Sequence, residues 1–169
     1  MEISIVNTSH VLDSEIEAII SAIHTVMPEF EKDWSVSGTV TLNGSSEIKL
    51  YVSTLKGNAS ERAFHSFLNV PYGRVIVDIN DPVSVMISHE VFEMLVNPKT
   101  DKYAGNLELE VCDPVSADSF MVNGIAIADW VTPAWFNYSL PPFNHLNTIK
   151  RPRTVAPGGY IKSKNSFAP

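Results

Sequence analysis

"ISHEVFEMLVNP", residues 87–98, decides how this chain is read. The run is almost wholly apolar, yet it carries His89, Glu90 and Glu93 within little more than one helical turn. Its flanks predict a helix. Asp81 before Pro82 is a start signal, a capping carboxylate followed by proline at the first helical position. Asn97-Pro98 is a stop, because the residue before a proline avoids helical torsions. At about 100° per residue, with His89 at zero, Glu93 lies at about 40° and Glu90 at about 100°. The rest of the circumference is Val, Met, Ile, Phe and Leu with two serines. All three ionisable groups therefore share one narrow stripe of a core-like helix. Partly buried carboxylates this close repel, and each costs several kcal/mol unless paired or bound to a cation. A metal ion would remove that cost.

The arrangement is that of an H-E-x-x-H helix with Glu93 in place of the second histidine. In that pattern two histidines one turn apart hold zinc and the intervening glutamate deprotonates a zinc-bound water. A carboxylate oxygen also ligates zinc, with lower affinity and a preference shifted toward harder ions. His89 and Glu93 are thus candidate metal ligands, and Glu90 is the candidate general base. Downstream, "LELEVCDPV" brings Glu110 and Asp113, either of which could be a third ligand or the acceptor that orients the His89 imidazole. Glu108 reads as a solvated strand charge. The competing reading of the stripe is a surface His-Glu-Glu cluster paired with Lys or Arg.

The chain has 169 residues, 44% of them hydrophobic and 18% charged, which fits one folded domain and excludes a disordered chain. No apolar run approaches the roughly 20 residues of a membrane span, and "MEISIVNTSH" has no secretion-signal pattern. The single cysteine, Cys112, excludes an internal disulfide and reads as a small buried apolar residue. The net charge of −7 is uneven. Residues 141–169 contain Lys150, Arg151, Arg153, Lys162 and Lys164 and no acid, so the body, residues 1–140, is strongly acidic. The tail also holds five prolines and Gly158-Gly159. It predicts an extended basic arm that can lie on its own body, on an acidic neighbour or on nucleic acid, a partner surface for its five cations being the simplest. The arm lacks the interleaved aromatics and arginine density of a nucleic-acid arm, which argues against direct nucleic-acid binding.

Along the body, "EISIV" predicts a strand and "DSEIEAIISAIHTVM" an amphipathic helix with Ile16, Ile19, Ile20, Ile23 and Met27 on one face. Ser14 with Glu17 has the capping-box spacing, and Pro28 marks the helix end. "GTVTLNGSSEIKLYV" reads as two strands joined by a turn at Asn43-Gly44. Residues 54–73 read as polar and irregular, with His65 unassigned. "RVIVDI" is a strand, and "SFMVNGIAI" a hairpin turning at Asn123-Gly124. "ADWVTPAWF" is a bulky apolar block whose Trp130, Trp135 and Phe136 suit a core or an anchoring surface. His65, His145 and Tyr103 are candidates, by residue type alone, for stabilising an oxyanion.

"SHEVFEMLVNP", "LEVCDPV", "VNGIAIADWVTPAWF" and "PGGY", in that order, resemble a family of zincin-like proteins from bacteriophages and prophages. That family carries a Ser-His-Glu-x-x-Glu-x-x-x-Asp-Pro helix followed by Glu-Val-Cys/Ala-Asp-Pro-Val-Glu. The resemblance covers roughly residues 74–136 and the glycine pair of the tail. It implies an α+β zincin-like fold, a mixed sheet on two main helices, with zinc as the implied ion. Asn97 stands where the family has Asp and Ser116 where it has Glu, so two carboxylates near the implied site are absent.

Three functions follow as expectations. The first is a virion-associated phage structural protein on a zincin-like scaffold with catalysis weak or lost, made in the host cytoplasm. Its partners would be other phage structural proteins or copies of itself, with no membrane involved. The second is an active zinc metallopeptidase using His89 and Glu93 as ligands and Glu90 as base. The third is a non-catalytic peptide-binding or regulatory phage protein.

Overall fold

A computed structural model describes residues 1–55 and 62–164. It is an α+β fold in which a mixed five-stranded sheet packs on two main helices. The sheet comprises β1 (Glu2–Thr8), β2 (Thr39–Leu42), β3 (Lys49–Thr54), β4 (Ala63–Leu68) and β5 (Val70–Val77), in the order β2-β1-β3-β5-β4. The helices are α1 (Asp13–Trp34) and α2 (Val83–Val96). β1 lies between β2 and β3 and runs parallel to both, β3 runs parallel to β5, and β4 returns antiparallel at the edge. Beyond α2 come β6 (Tyr103–Ala104) with β7 (Leu107–Glu108), a 3-10 turn at Asp113–Val115, the hairpin β8 (Ser119–Val122)–β9 (Ile125–Ala128), and α3 (Pro133–Asn137).

Alternation holds in the strands that matter to the core. Ile3 and Ile5 of β1, Leu50 and Val52 of β3, and Val75 and Val77 of β5 are fully buried, whereas Tyr51 between its two neighbours is exposed. Under them Phe30 of α1, Phe92 of α2 and Trp130 form an aromatic cluster with ring centroids 4.6–5.2 Å apart. Trp135 and Phe136 are buried as well, so the bulky block is core. Trp130 Nε1 donates to Asp33 Oδ2 at 2.9 Å and Trp34 Nε1 to the Val131 carbonyl at 3.0 Å. These two bonds tie α1 to the segment before α3.

The first helix does not stop at Pro28. It continues to Trp34, because buried Phe30 and the Trp34 Nε1 bond to the Val131 carbonyl anchor its C-terminal end and outweigh one missing N–H donor. Its N-terminus is closed by Glu15, whose carboxylate accepts the Leu12 N–H at 3.2 Å, and not by the Ser14–Glu17 pair. Asn43-Gly44 does lie in the connection between β2 and β3, but these two strands do not pair, since β1 occupies the place between them. Residues 63–68, read as irregular, form β4 and turn into β5 through Asn69 at φ 62°. Asp81 does not cap α2. Pro82 takes that place, and the Asp81 carboxylate instead accepts from the Arg62 guanidinium and the Asp78 N–H.

The β8–β9 hairpin turns at Asn123 (φ 50°) and Gly124 (φ 84°), the left-handed pair that a tight hairpin requires. Ala128 at its end donates its N–H to Ser88 Oγ at 2.9 Å, pinning the hairpin to the serine that precedes His89.

Residues 141–164 lie on the body of the same chain. Phe143, Asn144, Ile149 and Ala156 are buried. Gly159 sits against the Pro114 carbonyl so closely that a Cβ there would overlap it. Ala156 N–H donates to that same carbonyl at 2.9 Å, and Tyr160 N–H to the Asp113 carbonyl at 3.0 Å. Ser163 then bridges Leu107, with Glu108 N–H donating to the Lys162 carbonyl at 3.1 Å. The Pro-Gly-Gly-Tyr stretch is therefore the hinge that lays the tail beside β7. Among the described residues no helix is long and apolar enough to cross a membrane.

Candidate metal centre

The stripe on α2 points inward. Glu90 and Glu93 are 2% and 1% exposed, so both carboxyls have left water. His89 Nε2 lies 3.3 Å from Glu93 Oε1 and 3.2 Å from Asp113 Oδ1. Imidazole and carboxylate thus converge on one point, as the helical spacing predicts, and Asp113 from the 3-10 turn joins them. Glu93 Oε1 also accepts the backbone N–H groups of Cys112 and Asp113 at 3.1 and 3.2 Å. The turn after β7 is in this way docked onto the helix by the carboxylate it helps to surround.

A second convergence lies on the other side of Glu93. His65, on β4, is 8% exposed; its Nδ1 is 3.3 Å from Glu90 Oε2 and 3.7 Å from Glu93 Oε2. Its Nε2 is 3.2 Å from the Asn97 carbonyl and 3.7 Å from Glu110 Oε2. Two sets of side chains, His89–Glu93–Asp113 and His65–Glu90–Glu93, each bring three ligand-type atoms within 4.8 Å of one another. These buried His and carboxylate groups could hold a metal ion.

The electrostatics follow from burial and proximity. Burial alone would lower the charge of both histidines, but Glu93 and the hydrogen bonds to Asp113 and Glu93 raise His89 well above its ordinary 6.5. For His65, burial is likewise outweighed, by the Glu90 hydrogen bond and the charges of Glu93 and Glu90, and its pKa is raised. Burial works against ionised Glu93 too, yet the His89 charge and hydrogen bond, with His65, hold it below the usual carboxylate range. Glu90 is raised by burial despite its hydrogen bond to His65. Glu110 is pushed up to about 11, by burial and then by the Glu93 charge, so it keeps its proton at neutral pH. Lys162 reaches in from the tail, with Nζ 3.4 Å from Asp113 Oδ2. His65, His89 and Lys162 thus face Glu90, Glu93 and Asp113 across the cluster.

Every site residue expected from the sequence on the body lies in this cluster: His89, Glu90, Glu93, Glu110 and Asp113. The tail cations divide. Lys162 is on Asp113, Lys164 sits 4.4 Å over the Tyr103 ring, and Arg153 donates to the Phe136 carbonyl while stacking 4.6 Å from Tyr138. Lys150 donates to the Asn147 carbonyl, and Lys150 and Arg151 are exposed. Of the three residues considered for an oxyanion role, only His65 is in the cluster. His145 stacks on Trp130 at 4.1 Å, and Tyr103 is occupied by Lys164. Tyr160 was not foreseen. It lines a hollow of about 310 Å³ together with Arg62, His89, Glu90 and Ser116.

The two departures from the family pattern have different meanings here. The Asn97 side chain accepts the N–H groups of Asp101 and Lys102 at 3.1 and 2.9 Å, so it closes a loop; only its backbone carbonyl reaches the cluster. Ser116 lines the hollow beside His89 and Glu90, where a carboxylate would have faced the site. No family model, no curated protein and no solved structure matches the chain.

Proposed function

We propose that this chain is a zincin-like, divalent-cation-binding protein with a structural role in a phage particle, its peptidase chemistry weak or lost. The observation that carries the metal reading is the convergence of His89 Nε2, Glu93 Oε1 and Asp113 Oδ1, all three residues nearly or wholly withdrawn from water. The fit is supported by the donor set itself, one imidazole nitrogen and two carboxylate oxygens within 4.8 Å of one another. His89, Glu93 and Asp113 would hold zinc; when bound, the ion supplies Lewis acidity toward a carbonyl or a water. Its first effect on this chain is to replace the proton that lets three acceptor atoms face one another.

The loss of catalysis rests on Glu90 and Lys162. A general base must reach a proton on the substrate side. Glu90 is 2% exposed and hydrogen-bonded to His65, and Lys162 already neutralises Asp113 from the tail. The phage-particle role rests on the ordered resemblance of four sequence stretches described above. An active peptidase is the second reading, favoured by the hollow that opens beside His89, Glu90 and Tyr160.

Metal-stripped protein dialysed against zinc should retain it, and His89→Ala should hold less of it; no retention at saturating zinc would end the reading. Peptide hydrolysis that Glu90→Gln abolishes would select the second reading over the first. Absence of the chain from purified particles would remove the structural role.

A further inference from the structure

Glu93 sends its two oxygens in different directions. Oε1 faces His89 at 3.3 Å, and Oε2 faces His65 at 3.7 Å. We propose that Glu93 bridges two cation positions, one at His89–Glu93–Asp113 and one at His65–Glu90–Glu93, with Glu110 beside the second.

The second position is argued first from the His65 tautomer. A backbone carbonyl only accepts, so the 3.2 Å contact to the Asn97 carbonyl places a proton on Nε2. Nδ1 then faces Glu90 Oε2 and Glu93 Oε2 at 3.3 and 3.7 Å, and in the metal-free chain the Glu90 hydrogen bond places a proton between them. A bound cation would take the place of that proton among three ligand-type atoms. The other ring nitrogen held by a backbone carbonyl is how a ligating imidazole is fixed in orientation. Glu110 is the independent observation. It is 3% exposed, its Oε2 has no hydrogen-bond partner, and it lies 3.7 Å from His65 Nε2. A buried carboxyl turned into a pocket with no donor costs the fold unless something there takes its lone pairs.

One imidazole and three carboxylates suit a harder divalent ion than two histidines would, so Mn²⁺ is the discriminating probe beside Zn²⁺. A carboxylate-bridged pair of this kind holds its ions about 3.5–4 Å apart, close enough for two Mn²⁺ to couple magnetically.

The inference rests on the metal reading proposed above, and metal content separates the two. Chelator-stripped full chain is dialysed against Zn²⁺ or Mn²⁺ and its metal measured, with thermal melts confirming that each variant is folded. Two ions per chain in the parent, and one each in His65→Ala and His89→Ala, is the expected result. Glu110→Gln, which keeps the side-chain shape, should weaken only the second ion, about tenfold or more. The Mn²⁺-loaded parent should lose six-line electron-spin-resonance intensity to coupling, and His65→Ala should regain it. One ion in the parent, unchanged in His65→Ala, overturns the bridged pair and leaves the single centre standing. Two uncoupled Mn²⁺ also overturn it. No bound ion overturns both readings.

Discussion

Replacing Glu93 by glutamine removes charge while keeping shape. The amide oxygen can still accept the Cys112 and Asp113 N–H groups, so the loss falls on His89 and His65, whose imidazoliums share that carboxylate at 3.3 and 3.7 Å. Breaking a buried ion pair by removing one partner costs about 3–5 kcal/mol. The imidazoles can shed protons, which limits the loss, so we expect about 3 kcal/mol in metal-free protein near pH 6. At about 2–4 °C per kcal/mol for a chain of this size, the melting midpoint falls by about 6–12 °C. The sign with pH follows from the two shifts. Glu93 is depressed in the fold, so its contribution is present above its unfolded value near 4.5 and is lost as pH falls through the folded value. His89 is raised, so its contribution is complete below 6.5 and is lost as pH rises through the folded value. The gap between parent and variant is therefore widest between about pH 4.5 and 6.5 and narrows on the alkaline side. Urea melts from pH 5 to 9 in the presence of a chelator measure it directly. A variant as stable as the parent throughout, or a gap that widens above pH 8, would refute the assignment of Glu93 as the shared counter-charge.

Three further outcomes are expected. Lys162→Met leaves Asp113 without its ammonium, so divalent-ion affinity should rise, by up to about tenfold, while metal-free stability falls by no more than about 1 kcal/mol because Lys162 is partly exposed; calorimetric titration reads the first and denaturant melts the second. Trp130→Ala should cost about 3–5 kcal/mol, since the ring is fully buried against Phe30, Phe92 and Phe120 and its Nε1 donates to Asp33; denaturant unfolding checks it. Cys112 is fully buried, and burial with the charges of Glu93 and Asp113 pushes its thiol well above 9.0, so a thiol reagent should react only after unfolding.

The helix 83–96 and its inward stripe were legible because a 3.6-residue period fixes relative angles whatever packs around them. The hairpin at Asn123-Gly124 was legible for a similar reason, since few residue pairs adopt its torsions. β4 was not, because its one deeply buried side chain is a histidine, which breaks the apolar alternation by which a strand is recognised. The His65 side of the cluster was missed with it. Phe64, Phe67 and Leu68 before the Asn69 turn were the available signal. The partners of β2 and β3 could not be read from their spacing, because an intervening strand from elsewhere in the chain leaves no local mark. Lys162 was legible as a tail cation but not as a neighbour of Asp113, since the contact depends on how Gly159 lets the chain pass over Pro114.

The placement of β1 has a kinetic consequence. It is flanked on both sides by parallel neighbours, and α1 separates it in sequence from each of them. No tight turn can start either ladder, so the loop-closure entropy of the whole α1 crossover is spent before the first inter-strand bond forms. The rate of folding should accordingly respond to the burial of α1 and β1 in the common core, where Ile23 and Ile5 lie, more than to the β8–β9 hairpin that closes locally.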